Sequence, residues 1–538
     1  MGLRLICLSL VLCSTAAVAQ QSKYASAVDF PIVLAGNVGE LRTDAFHAGI
    51  DIKAAKGIGS PVFAIADGYV SRVGVSPWGY GNSIYVTHRD GAVSVYGHLD
   101  RFNKKIGDWV RNQQYAKKSF AVDLYPQAEQ FPVKRGEQIA YLGNSGSSAG
   151  PHLHLEIRDP RTGFPQNIIA KGYYEVADEV KPTIKSIKLY EIEVVDGVEQ
   201  HFLKHSSAPA PDLVFTLRGR GYLAYEVVDY KSGAGNTMGI YSLTQSVDGE
   251  QNFGFALDFV DYGKQRFMNT FVKYDDHRAT KLDVIRAYVS PNNRLAIYNK
   301  VIDRGVLRAT DMPLAVRTAI RDDGGNEQIV QFKIVRDTST ATRPKAFGEV
   351  VRWNSEFNYL IGNLSVNIPR EALYDDDFIV CEEVSEGVYQ IGSDKIPLHR
   401  AMTLVLAVPP HDKSDKMGFV NEKNGWIGGS YKDGRLTATT NRFGAFKTSL
   451  DTIAPRITAV DLAQKSAVLR FKITDNLSGI DKYHLTVNGK WELAEYDAKS
   501  NLLTHKIKRN QTPISYDIVL TVTDAKNNKS TFKRTVKW

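Results

Sequence analysis

The sequence predicts an all-β protein assembled from several domains, and three observations carry that prediction. Tyrosine (26) and phenylalanine (23) are plentiful while methionine (6) is scarce, a balance that favours strands. Short runs of alternating apolar and polar residues, broken by Gly, Pro, Asn and Asp, recur along most of the chain, as half-buried strands joined by turns should read. The 538 residues exceed what one core organises, and at roughly 150 residues per domain they suggest three or four. Composition is that of a globular protein, 43% hydrophobic and 23% charged. The net charge of +8 is spread out rather than gathered in basic blocks. It favours a mild attraction to anionic polymers over nucleic-acid binding.

At the N-terminus Arg4 precedes an apolar run from Leu5 to Val18, and Ala17-Val18-Ala19 stands before Gln20. This is the pattern of a cleaved secretory signal, residues 1–19, and it implies export to the periplasm, the cell envelope or the exterior. Cys13 would suit a lipid attachment site, but Leu12 before it is bulkier than that processing accepts, so cleavage after Ala19 is the better reading. No later stretch approaches the ~20 apolar residues of a membrane helix. Cys7 and Cys13 leave with the signal, so Cys381 remains alone, a small hydrophobe within FIVCEE, and no internal disulfide forms.

After an apolar lead at 30–34, alternating strands are predicted at 62–66, 68–75, 83–88 and 92–98, a compact antiparallel β unit. Within it, HAGID places an imidazole, His47, four residues before a carboxylate, Asp51. Both ligand types suit zinc. Fully extended, they would stand about 13 Å apart, so the backbone is expected to bend between them, most easily at Gly49. Residues 142–158, LGNSGSSAGPHLHLEIR, read as a Gly/Ser loop delivering the chain onto a strand. Alternation with Leu153, Leu155 and Ile157 puts His152, His154 and Glu156 on the opposite face. His98 ends the strand VSVYGHL.

Three motifs in order, HAGID, YGHL and GPHLHLE, with ADGYV and GYGNSIYVTH between them, resemble the lysostaphin-like (LytM-type) zinc metallopeptidases that cut peptide bonds in bacterial peptidoglycan. The resemblance covers residues 39–158. It implies an antiparallel β peptidase domain at 20–175 with one Zn²⁺ per chain, held by His47, Asp51 and His154, while His98 and His152 line the site as catalytic groups. Three protein ligands leave a fourth tetrahedral position for water, as in catalytic rather than structural zinc. No HExxH motif exists in the chain, so base and oxyanion duties fall to His98 and His152. The resemblance also admits a non-enzymatic reading, because some relatives lose metal ligands and regulate other wall hydrolases; a vestigial adhesin is a third. All five positions are occupied here, which favours the enzyme, acting on peptidoglycan peptide stems.

Other residues of the segment have plainer readings. His88 reads as a strand-end cap, and Asn37 as an ordinary turn residue rather than a zinc-reaching inhibitor. Glu156 is either an outer support for His154 or a solvated carboxylate, and Tyr96, two before His98, either touches substrate or packs. The chain departs from the compact family pattern at 109–132, where basic and aromatic residues interleave; the alternatives are a surface loop and a substrate-selecting flap.

Beyond residue 179 longer alternating strands predominate. VKPTIKSIKL (from Val180) resembles IAPRITAVDL (from Ile453), and VVDYKSGAGN resembles ITDNLSGIDK, each with Asp-x-x-Ser-Gly. The expectation is an immunoglobulin-like β domain with insertions or a small subdomain at 179–341, a β-sandwich at 345–450 and a C-terminal immunoglobulin-like domain at 452–538. Asp-x-x-Ser-Gly reads as a tight turn rather than a calcium loop, because carboxylates are sparse around it in sequence. These domains offer no paired nucleophile and base. They are expected to position the peptidase on its polymer, to meet an envelope protein, or to act as a spacer.

Overall fold

The computed structural model describes residues 23–340, 346–462, 467–507 and 515–537; the expected export signal at 1–19 and the boundary at 341–345 lie outside the described residues. The protein is all-β.

The first unit is built on an antiparallel sheet of β1 (Leu34–Gly36), β2 (Ile50–Lys53), β3 (Gly68–Val75), β4 (Asn82–His88), β5 (Val93–Leu99), β6 (Val122–Leu124) and β7 (His152–Arg158). Across the sheet they run β1-β2-β7-β5-β4-β3-β6. β7 therefore lies between β2 and β5, and its register sets His154 opposite Asp51 on one side and opposite Gly97 on the other. Leu153, Leu155 and Ile157 are inaccessible in the core, so the alternation of β7 sends its two histidines to the other face.

Residues 109–132 are only partly loop, at 118–121 and 125–131. Most of their first half belongs to α1 (Lys104–Lys117), capped by Asn103, whose side chain accepts from Ile106 N at 3.0 Å. Ile106, Val110 and Gln114, spaced by four, form its buried face. β6 follows and pairs with β3 at the edge of the sheet.

The second unit has two facing sheets, one containing strands 183–195, 198–207 and 220–230, the other 214–217, 242–256, 298–301 and 314–336. All pairs are antiparallel except Val214–Leu217 with Glu327–Arg336. Its extra length lies in 257–313, which includes the short helices Met268–Phe271 and Tyr274–Thr280. One hydrophobic core runs from Tyr24 through Ile334 and so belongs to both units. Phe46 meets Phe271 edge-on at 5.6 Å. Gly39 (φ +89°) approaches the second unit so closely that a Cβ there would lie 2.7 Å from Leu257 Cδ1.

The third unit carries two five-stranded sheets around its own core and the fourth two four-stranded sheets around another. The fourth folds back onto the first. Tyr115 of α1 donates to Glu492 Oε2 (2.8 Å) and stands edge-on to Trp491, while the Lys499 ammonium bonds to Asn144 O. Between them lies a cleft of about 760 Å³ that reaches Ser145 on one wall and Tyr496 on the other.

Candidate metal centre

The bend between His47 and Asp51 falls at Gly49, just before β2 begins. A Cβ at Gly49 would lie 2.5 Å from Leu155 O and 2.9 Å from the His154 ring. Only glycine lets the chain turn this tightly against β7. The bend and the β2–β7 register then bring three buried donors together. His47 Nε2 lies 3.1 Å and His154 Nδ1 2.9 Å from the same carboxylate oxygen, Asp51 Oδ1, and the two nitrogens are 3.0 Å apart. Donors bound to one tetrahedral ion at zinc distances stand about 3.3 Å apart. Two imidazole nitrogens and a carboxylate oxygen at near that spacing fit such an ion in both geometry and chemistry.

Each donor is held by a second contact. His47 Nδ1 bonds to Asn37 O at 2.8 Å, which turns Nε2 inward. His154 Nε2 bonds to Glu156 Oε1 at 2.9 Å, which turns Nδ1 inward. Asp51 Oδ2 accepts from Arg42 at 3.0 Å. Such outer contacts fix tautomer and ring angle. Glu156 is itself inaccessible, and it accepts from Tyr80, from Arg158 Nε (2.8 Å) and from Tyr262 Oη (2.9 and 3.0 Å). Tyr262 belongs to the second unit. Burial would lift the Asp51 carboxyl, but the field of His47 and the close imidazole contacts of His152, His154 and His47 outweigh it and hold it well below the usual carboxylate range. Burial would likewise lower His154, yet its bonds to Asp51 and Glu156 raise it to about 9, while Glu156, despite its burial, is brought down to about 2 by His154.

His98 and His152 stand beside the triad, ring centroids 4.7 Å apart. Both turn Nδ1 to a backbone carbonyl, His98 to Ser145 O (2.9 Å) and His152 to Gly150 O (2.8 Å). That geometry assigns the Nδ1–H tautomer to His98 and leaves its Nε2 as the working atom; the Nε2 of His152 faces the triad, 3.3 Å from Asp51 Oδ1. Burial, then the neighbouring His154 and His152, push His98 down to about 3, so it is neutral. His98 has φ +59°, an uncommon left-handed conformation for a side-chain-bearing residue. It breaks the strand alternation, which is why Tyr96 does not share its direction: Tyr96 is fully buried and accepts from Ile65 N.

His88 is buried between Asp67 O and Ser94 Oγ, away from the site. Asn37 is more than a turn residue. Its amide donates to Gly239 O (2.9 Å) and Asp323 Oδ2 (3.0 Å) in the second unit while its own carbonyl orients His47. Asp323 in turn pairs with the buried Lys231 at 2.5 Å. Sequence pattern could not reveal Asn37, Tyr80 or Tyr262 as supports, because the partners that give them that role are remote in the chain, whereas Arg158 stands two residues from Glu156 on the same face of β7.

Residues 45–118 match the model of peptidase family M23, and residues 348–451 match that of the Zu5-like domain. The DD-carboxypeptidase/endopeptidase Mpg of Neisseria meningitidis is 34% identical over 118 residues, 22% of this chain and 21% of that protein. Lysostaphin of Staphylococcus simulans is 32% identical over 111 residues, 20% and 17% of the two chains. The murein hydrolase activator NlpD of Escherichia coli is 36% identical over 112 residues, 21% and 23%. The chain spans about a fifth of the length of these relatives. The match at 45–118 falls on the sheet that carries the triad, so it is the first unit that is similar to peptidase family M23.

Proposed function

We propose that this chain is an exported, zinc-dependent endopeptidase that hydrolyses the peptide cross-links of cell-wall peptidoglycan. The observation that carries the reading is the complete site: three converging donors, His47, Asp51 and His154, with two imidazoles beside them whose Nε2 atoms are free of backbone anchors. A zinc ion held by those three residues would polarise a peptide carbonyl and make water nucleophilic near neutral pH. The chain's own contribution is proton handling and orientation. With Nδ1 tied to Ser145 O and Gly150 O, His98 and His152 each present one nitrogen, one to take a proton from water and the other to stabilise the developing oxyanion or protonate the leaving amine. The positive φ of His98 holds its ring toward His152. Mpg and lysostaphin, named as peptidases, support the class of reaction.

NlpD, named as an activator, supports the rival reading in which the unit regulates other wall hydrolases; the intact donor set supports the enzyme over it. The β units beyond residue 179 act as positioning modules, toward the polymer or an envelope protein. Zinc-loaded protein incubated with peptidoglycan is expected to yield new free amines and shorter muropeptides. If it releases none from peptidoglycans of several cross-link types, and His154→Ala behaves identically, the enzyme reading fails.

A further inference from the structure

The internal repeat places related turns at the ends of the second and fourth units, and their charges differ. In the second unit Asp178, Asp229 and Asp322 gather around Lys231, whose buried ammonium lies 2.8 Å from Asp178 Oδ2, 3.7 Å from Asp322 Oδ2 and 2.5 Å from Asp323 Oδ1. In the fourth, the corresponding residues are Asp451, Asp475 and Asp524. The scaffolds agree bond by bond. Asn326 donates its amide to Asp322 Oδ2 and to Asp178 O; Asn528 donates to Asp524 Oδ2 and to Asp451 O. Ser232 N donates to Asp178, and Ser478 N to Asp451. The cation does not carry over: Leu477 stands where Lys231 would, and Ala525 where Asp323 would.

The fourth-unit cluster thus keeps three carboxylates, each with an oxygen within 4.8 Å of the others'. Among the described residues none of the three takes part in an ion pair. Asp451 and Asp524 are inaccessible to solvent. Asp451 Oδ1, Asp475 Oδ1 and Ser478 Oγ are buried and receive no hydrogen bond from any described group. Lys416 and Lys526 lie nearby, but their ammoniums bond to Lys526 O and Gly429 O. Buried, unpaired carboxylate oxygens are costly unless a cation compensates them.

We infer that Asp451, Asp475 and Asp524, with Ser478 Oγ, form a binding site for a hard divalent cation of the calcium class, which does in the fourth unit what the Lys231 ammonium does in the second. The donors are all oxygen, which suits calcium and excludes the preferences of zinc or copper. The Asp-x-x-Ser-Gly element is indeed a tight turn, with Asp475 Oδ2 accepting from Leu477 N and Gly479 N. The carboxylates it lacks in sequence arrive from two remote segments. The site sits on the seam between units: Asp451 N donates to Lys416 O of the third, and Asp451 O accepts from Asn528 of the fourth. Cation binding therefore fastens the fourth unit to the third, and with it the wall that the fourth unit offers to the α1 cleft. The inference does not rest on the peptidase reading.

The test uses the intact, zinc-loaded protein titrated with calcium chloride, and with magnesium chloride as comparator, by calorimetry and thermal unfolding. Wild type is expected to bind calcium with Kd of about 10⁻⁵–10⁻³ M and to unfold at a higher temperature with it. Asp475→Asn should weaken binding at least about tenfold, and Leu477→Lys should abolish the calcium response, both keeping full zinc content. No heat and no thermal shift in wild type at about 5 mM calcium would overturn the inference, as would an equal response in both variants. Should Leu477→Lys fail to fold, Asp475→Asn, at the only one of the three carboxylates not fully buried, decides alone.

Discussion

Two places in this chain bring three donors to one point, and they are built differently. In the first unit the donors are two imidazoles and a carboxylate, set by strand register and a glycine bend, and every donor residue is held from behind by a second contact. In the fourth unit they are carboxylates at the ends of strands and turns, and two of their oxygens have no hydrogen-bond partner among the described residues. The difference separates tuning from neutralisation. Outer contacts that fix tautomer and angle are what reaction chemistry at a metal needs. A bare cluster of charge at a seam needs only a cation to balance it, and the second unit meets the same need with a lysine.

The sharpest test of the tuned centre separates metal from chemistry. His154→Ala is expected to lose both zinc and turnover, activity falling by at least about 10³-fold, while His152→Ala loses turnover to a similar degree but retains zinc. Metal analysis of both variants alongside peptidoglycan assays checks this, and equal zinc loss in the two would overturn the division of roles. On the side of neutralisation, Lys231→Met leaves Asp178, Asp322 and Asp323 buried without their cation and should cost about 3–5 kcal/mol in unfolding experiments. Tyr262→Phe removes a hydrogen bond to Glu156 from outside the peptidase unit. Zinc affinity should weaken by about tenfold with the fold intact, and unchanged affinity would show that Tyr80 and Arg158 suffice.

A pH-dependent effect concerns Asp229, whose buried carboxyl is pushed up to about 8 by burial and then by Asp322. Its folded pKa lies above its unfolded one, so the folded chain keeps a proton that the unfolded chain releases. Stability from this group is full below about pH 4 and is lost as the pH rises toward 8. Asp229→Asn, whose side chain stays neutral at every pH, should raise the melting temperature at about pH 7.5 relative to its effect at about pH 4.

What was legible in the sequence is what depends on short spacing. His152 and His154 alternate with leucines, and the need for a bend made Gly49 stand out between His47 and Asp51. The helix α1 was hidden because its buried face consists of only Ile106, Val110 and the polar Gln114, too narrow a stripe to stand out among basic and aromatic neighbours. The roles of Tyr262 and Asn37 depend on packing between units. The fourth-unit cluster escaped because its carboxylates come from three separate segments, so their density is visible only in three dimensions, where the repeat supplies the comparison with Lys231.

The core that runs without a break from Tyr24 to Ile334 makes the peptidase unit a poor candidate for excision. A fragment ending near residue 175 would present Phe46 to water, where Phe271 now covers it, would bare the backbone at Gly39 that Leu257 packs against, and would strip Asn37 and Glu156 of their partners in the second unit. Such a fragment exposes an apolar face that invites self-association. The smallest portion that keeps the candidate metal centre together with the supports Asn37 and Glu156 find in the second unit is therefore the pair.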